Sequence, residues 1–195
     1  MKEVIKNPEI ILFIVVVSVF LLSKVGLKLN YLSVWDIIKN HINCFRNPRT
    51  KKLLIIPIFD YFLTPFLLGI IAAFIKIIDS SVVNIITIIV SILTSMFFTL
   101  LGMLIDMKLK VNEDKNYYST EAKISKQSLI ETYYAVMFEI LVSIILLILC
   151  LFNVFTSCFS FAQSALIYGL AFLLIINLMM IIKRIFKIID TDMQK

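Results

Sequence analysis

The sequence predicts an all-α fold: a polytopic transmembrane bundle of four to five spans with one amphipathic helix at the membrane interface. Three observations carry this reading. The 195 residues are 61% hydrophobic and 16% charged, whereas soluble domains are about 45–50% apolar. The apolar residues are gathered into runs long enough to cross a hydrocarbon core roughly 30 Å thick. The polar segments between them are short, so a single integral membrane domain is expected over residues 1–195.

The first candidate span is 10–27. Pro8 suits the first turn of a helix, and Lys24 can snorkel into the headgroups. Its uninterrupted apolar part is short for a crossing, which is why the count is four to five. Ser23, Lys24, Val25 and Gly26 lack the small-residue pattern of a removable signal, so a retained helix is expected. Residues 31–46 follow as the interfacial helix. Leu32, Trp35, Ile38, Ile42 and Phe45 recur every three or four residues with charges on other faces, and Trp35 suits headgroup depth.

The second span, 53–78, carries Pro57 and Pro65 around Asp60. Two prolines imply a kinked or locally unwound helix whose freed carbonyls need partners. Thr64, Gly69, Ala72 and Ala73 give it a small and polar side. In the third span, 82–105, Asn84, Thr87, Ser91, Ser95 and Gly102 lead to Asp106 along one helical stripe, read as a close-packing seam or as the lining of an aqueous path. The fourth span, 129–152, has Thr132, Glu139, Ser143 and Cys150 on a single face. The fifth, 165–182, ends in the basic collar Lys183, Arg184 and Lys187.

Lys and Arg fix the expected orientation. Six lie in 28–52, five in 106–128 and four after the fifth span, out of nineteen in the chain. Those three segments are expected to be cytoplasmic, with the C-terminus inside a bacterial inner membrane. The Ile, Lys and Asn bias, with few Pro and Gly, points to an AT-rich bacterial genome.

Chemistry is carried by few residues. Glu139, at about 1.5 Å per residue from Leu129, lies about 15 Å deep, where a carboxylate costs several kcal/mol and must face protein or water. It can bind a cation or proton, or it can lock its helix to Ser91, Ser95 or Thr64 on neighbouring helices. Asp60, about 10 Å from the cytoplasmic edge, can frame an ion site in a broken helix or bond to its own helix's amides. The two carboxylates belong to spans entering from the same side, so they can meet at similar depth. Trp35, Arg46, Arg49, Lys51 and Lys52 can contact anionic lipid or an acidic partner, or simply mark the cytoplasmic side. The single histidine, His41, reads as solvated. Three cysteines without a C-x-x-C argue for free thiols and no metal site. No phosphate loop, nucleophile elbow or zinc-protease motif is present, so neither enzyme activity, a cofactor nor direct nucleic-acid binding is expected.

At SILTSMFFTLLGMLIDM, at SLIETYYAVMFEILVSIILLIL and at the closing LMMIIKRIFKIID, the chain resembles small multi-pass membrane proteins of bacterial anti-phage defence loci. In size and layout it is similar to the membrane component of the two-gene Kiwa system. The resemblance implies an envelope sensor or membrane-permeabilising effector that self-associates and acts with a cytosolic protein partner. The residues themselves leave open two alternatives: a small ion- or proton-coupled transporter or channel subunit, and a bacteriocin-immunity-like membrane protein.

Overall fold

A computed structural model describes residues 34–46, 50, 52–113, 120–152 and 159–193. The candidate first span, 10–27, lies outside the described residues, as do Arg49 and Lys51. Five helices run in chain order: α1 (Trp35–Asn43), α2 (Ile55–Ile75), α3 (Ser80–Glu113), α4 (Thr120–Leu151) and α5 (Phe161–Met193). Four of them are long and apolar enough to cross a membrane, so the protein is an all-α, multi-pass membrane bundle.

The helices are longer than the apolar runs. α3 continues to Glu113 and α4 begins at Thr120, which takes up most of the loop expected over 106–128. Hydropathy marks where lipid begins, whereas charged residues continue a helix readily once water can solvate them. The start of α5 is fixed by a reciprocal cap. The Ser160 amide donates to Gln163 Oε1 at 2.9 Å and the Gln163 amide to Ser160 Oγ at 3.4 Å, which satisfies two orphan donors of the first turn. That box starts the helix at Phe161, four residues before the expected span.

The proline-rich second span is one continuous helix with Pro65 inside it; of the kinked or locally unwound helix expected, the unwound form is not what the chain adopts. Pro57 lies in the first turn, where its missing N–H would be unpaired anyway. Pro65 removes only the bond to the Tyr61 carbonyl.

Packing runs from α2 to α5, from α5 to α4 and from α4 to α3, with α1 resting on α4. α2 and α5 come closest. A Cβ built on Gly69 would stand 2.5 Å from the Gly169 amide nitrogen and 2.7 Å from the Ala165 carbonyl oxygen, so the two backbones touch. Tyr61, Pro65, Gly69 and Ala73 form the buried side of α2 at four-residue spacing, a small-residue seam of the kind that brings membrane helices together by dispersion. α3 attaches to the bundle through a heptad seam of Val83, Val90, Phe97 and Leu104, all buried.

The ends are pinned by the turn joining α2 to α3. Ile78 donates its amide to Ser164 Oγ at 3.1 Å and accepts from the Phe159 amide at 3.3 Å. Asp79 Oδ1 caps α3 through the Val82 amide at 2.9 Å and the Ser81 hydroxyl at 2.6 Å, and Oδ2 pairs with Lys76 at 3.2 Å. The Ser81 hydroxyl, the Val82 amide and Lys76 hold the Asp79 carboxyl well below the usual carboxylate range. α2 and α3 diverge from this turn, sharing no principal contact, and each packs instead on a different member of the α4–α5 pair.

Because Gly69 leaves no room for a methyl group and Gly102 has nothing within 4 Å of its would-be Cβ, the two glycines should respond oppositely to alanine. In detergent, Gly69→Ala is expected to destabilise the bundle by about 1–3 kcal/mol. Gly102→Ala should be neutral or stabilising by up to about 1 kcal/mol. Denaturant unfolding followed by circular dichroism measures both.

Candidate functional site: a buried polar cluster on α4

The polar face expected on the fourth span is buried as a unit. Thr132, Glu139 and Ser143 are fully enclosed and Cys150 nearly so. Thr132 satisfies its hydroxyl on the Ser128 carbonyl at 2.8 Å. Glu139 does not: among the described residues neither of its oxygens has a hydrogen-bond partner, nor does Ser143 Oγ.

Helix registers place other unpaired groups at the same depth. Arg184 Nη1 of α5 lies 3.8 Å from Glu131 Oε2 of α4, and the two helices are antiparallel. Seven residues back along α5 is Asn177 and eight residues on along α4 is Glu139, so at about 1.5 Å per residue the two differ by about one residue in height. The Gly69–Gly169 contact gives the third point. Eight residues from it, Tyr61 on α2 and Asn177 on α5 share one level. Tyr61, Glu139 and Asn177 therefore stand at about one level on three helices, each buried. The Tyr61 hydroxyl and both polar atoms of the Asn177 side chain are buried without partners as well. Each such group costs about 1–3 kcal/mol when left unmade.

The same registers place the cluster between two charged levels. Glu131 and Arg184 mark one charged level, and Asp79 with Lys76 marks the other end. Glu139 is eight residues from the first level, about 12 Å, within the stretch of α4 that is long and apolar enough to cross a membrane.

His41 completes the cluster from α1. The histidine expected to be solvated is fully buried. Its ring stacks face to face on Phe138 at 4.1 Å and 4°, and stands 5.7 Å from both Tyr61 and Phe45. Neither ring nitrogen has a hydrogen-bond partner. Cys44 lies at the Glu131 carbonyl, its thiol 3.9 Å away, while His41 reaches Phe138 seven residues further along α4. α1 thus packs on α4, with His41 and Phe45 turned toward Tyr61 of α2. Residues 31–33 lie outside the described residues, but Trp35 at the start of α1 is exposed. No linear signal marks His41 as buried, because the contacts that bury it come from α2 and α4.

The remaining candidates are placed elsewhere. Asp60 is exposed and accepts a 2.9 Å hydrogen bond from the Thr64 hydroxyl one turn on; it bonds to a side chain and not to helix amides. Asp60 is near Glu139 in depth but turned away from it, so the two carboxylates form no joint site. Ser91 and Ser95 lie on an exposed face of α3, and with Thr64 they are not the partners that lock Glu139 in place. Arg46 and Lys52 are exposed at the start of the second span. Among the described residues no group of three His, Cys, Asp or Glu side chains is arranged to hold a metal ion.

No family model, curated protein or solved structure matches the chain.

Burial, and then the positive charge of Arg184, bring the His41 imidazole down to about 3 from its ordinary 6.5. The charged or titratable neighbours are Cys44 beyond the end of α1, Tyr61 on α2, Glu131 and Glu139 on α4, and Arg184 on α5. Burial pushes the Cys44 thiol up, with Arg184 beside it acting the other way. A histidine that is neutral when docked and protonated when released stabilises docking fully above its free value. That contribution is lost as pH falls from 6.5 toward 3. Docking of α1 should weaken by about 1.4 kcal/mol for each pH unit below about 6.5. Trp35, the single tryptophan, sits on the same helix and reports the change in fluorescence; His41→Phe should flatten the titration.

Proposed function

We propose that this chain is a membrane protein that takes up a monovalent cation, the proton included, at the Tyr61–Glu139–Asn177 cluster, in the manner of a small ion- or proton-coupled transporter or channel subunit. The observation that carries the reading is a fully enclosed carboxylate with both oxygens unpaired, at a depth where an unpaired charge is costly. Tyr61 and Asn177 at its level, and Ser143 one turn on along α4, offer neutral oxygens and an amide, which suit a proton or a weakly hydrated cation better than an anion. The basic end, with Lys52 and Arg184, faces the cytoplasm by the positive-inside rule, which leaves the site nearer the cytoplasmic side of a bacterial inner membrane.

The second reading is the envelope sensor or permeabilising effector of an anti-phage system acting with a cytosolic partner. The resemblance of the third to fifth spans supports it. It ranks below the first because the geometry of the cluster accounts for cation uptake without a phage-derived trigger.

Reconstituted in vesicles with an internal pH dye and an imposed gradient, the wild-type chain should move protons or exchange them for Na⁺ or K⁺. Glu139→Gln should lower the rate at least about tenfold, since the charge-changing group is gone. The same variant should be as stable as wild type or more so, by about 1–3 kcal/mol, because a buried carboxylate without partners is replaced by a neutral amide. Uptake unchanged in Glu139→Gln would overturn the proposal.

A further inference from the structure

At their basic end, α3 and α4 do not close fully on each other. A cavity of about 70 Å³ lies between them, lined by Leu104 and Lys108 of α3 and by Leu129, Ile130, Tyr133 and Tyr134 of α4. One water needs about 10–15 Å³ of such space, so the cavity has room for a group of several atoms. Its α4 wall straddles Glu131, the residue that pairs with Arg184. The apolar stretch of α3 ends at Leu109 and that of α4 begins at Gln127, which puts the cavity where two spans meet the headgroups.

The lining has two parts. Leu104 and Leu129 are buried and Ile130 is half-buried, which makes one part apolar. The other is cationic and hydroxylated. The Lys108 ammonium stands 5.4 Å from the centre of the Tyr133 ring, within the range of cation–π attraction. The Tyr133 and Tyr134 rings meet edge to face at 5.5 Å, and each phenol can donate a hydrogen bond. Among the described residues no carboxylate lines the cavity. Glu131 is engaged by Gln127 at 3.0 Å and by Arg184 at 3.8 Å. Asp106, two residues before Lys108, lies about 160° away around α3. Lys108 therefore has a ring beside it and, among the described residues, no negative charge.

We propose that this cavity holds the phosphate of an anionic phospholipid. Level, charge and size select that occupant. A phosphate diester at headgroup depth supplies the negative charge that Lys108 lacks, and its oxygens accept hydrogen bonds from the phenols. The apolar part suits the glycerol and the first methylenes of an acyl chain. Leu101 of α3 and Met137 of α4, one turn further into the spans, are half-buried and continue that surface. A free phosphate would use only the polar part, whereas an amphiphile uses both, and a cavity of this volume is far too small for a helix. Basic pockets between membrane helices recognise anionic headgroups by this combination. None of the six lining residues belongs to the Tyr61–Glu139–Asn177 cluster, so the lipid site stands apart from the cation reading.

The test is tryptophan quenching in vesicles of phosphatidylglycerol and phosphatidylcholine in equal parts, with bromine on the acyl chains of one lipid or the other. Trp35→Phe combined with Tyr134→Trp leaves a single tryptophan, at the cavity. Its relative affinity for phosphatidylglycerol should be about fivefold or more, the contribution of one lysine facing an anionic headgroup. Lys108→Gln should abolish that preference. Lys183→Gln, which removes an exposed lysine of the same basic end that does not line the cavity, should leave it unchanged, and millimolar inorganic phosphate should not relieve the quenching. Equal affinity for the two lipids would overturn the proposal, as it would if a carboxylate of the chain itself filled the cavity. Equal losses in Lys108→Gln and Lys183→Gln, or relief by inorganic phosphate, would overturn it too. A second measurement keeps both natural aromatic residues. Native mass spectrometry of the unaltered chain in mild detergent should show a retained phosphatidylglycerol that is depleted in Lys108→Gln, and equal retention in both chains, or none in either, counts against the site.

Discussion

Glu139 has to be kept away from lipid, and much of the architecture answers that constraint. A carboxylate about 12 Å along α4 from the Glu131–Arg184 pair, in an apolar span, is costly unless the helix around it is covered, and the span of α4 is by far the most enclosed in the bundle. α5 covers one side of it, α3 another, and α1 lies on it from the basic end. The apolar residues that do the covering gain little over lipid, which is as apolar as they are. What holds the helices is close approach, best seen where the backbones of α2 and α5 touch at Gly69 and Gly169.

That contact also decides what the carboxylate meets. With the two glycines as a fixed point, Tyr61 and Asn177 fall at the height of Glu139, eight residues away on each helix. A larger side chain at either glycine would separate α2 from α5 and move the phenol out of the cluster. The structure thus couples packing at one level to chemistry at another, about 12 Å away along the helix. His41 adds a second coupling. Its ring is held by stacking on Phe138 and by neighbouring Tyr61 and Phe45, with no polar bond, so α1 is fastened to the bundle by a group whose charge state can change.

α3 obeys a different logic. It is clipped to α4 by a regular apolar seam and capped at its start by Asp79, while a polar face looks outward. α4 is thus enclosed on its polar side, whereas α3 exposes Asn84, Ser91, Ser95 and Gly102 on its own.

Periodicity and hydropathy determined that the protein is a multi-pass helical bundle, that Thr132, Glu139, Ser143 and Cys150 share one inward face, and that a carboxylate lies inside the membrane. These follow from local chemistry, since a long apolar run and an intrahelical stripe are properties of a single segment. Helix ends were less legible, because the box of Ser160 and Gln163 and the charged extensions of α3 and α4 lie beyond the apolar signal. The partners of each stripe were not legible at all. Asp60 and Glu139 looked alike in sequence, each a lone carboxylate in a span, yet one bonds to Thr64 on an exposed face and the other is enclosed. Only the tertiary structure distinguishes them, since which face of α2 meets α5 is set by where two glycines let backbones touch. The same holds for His41, polar and solitary in the sequence and buried in the fold, because its environment is made by rings that α2 and α4 bring from elsewhere in the chain.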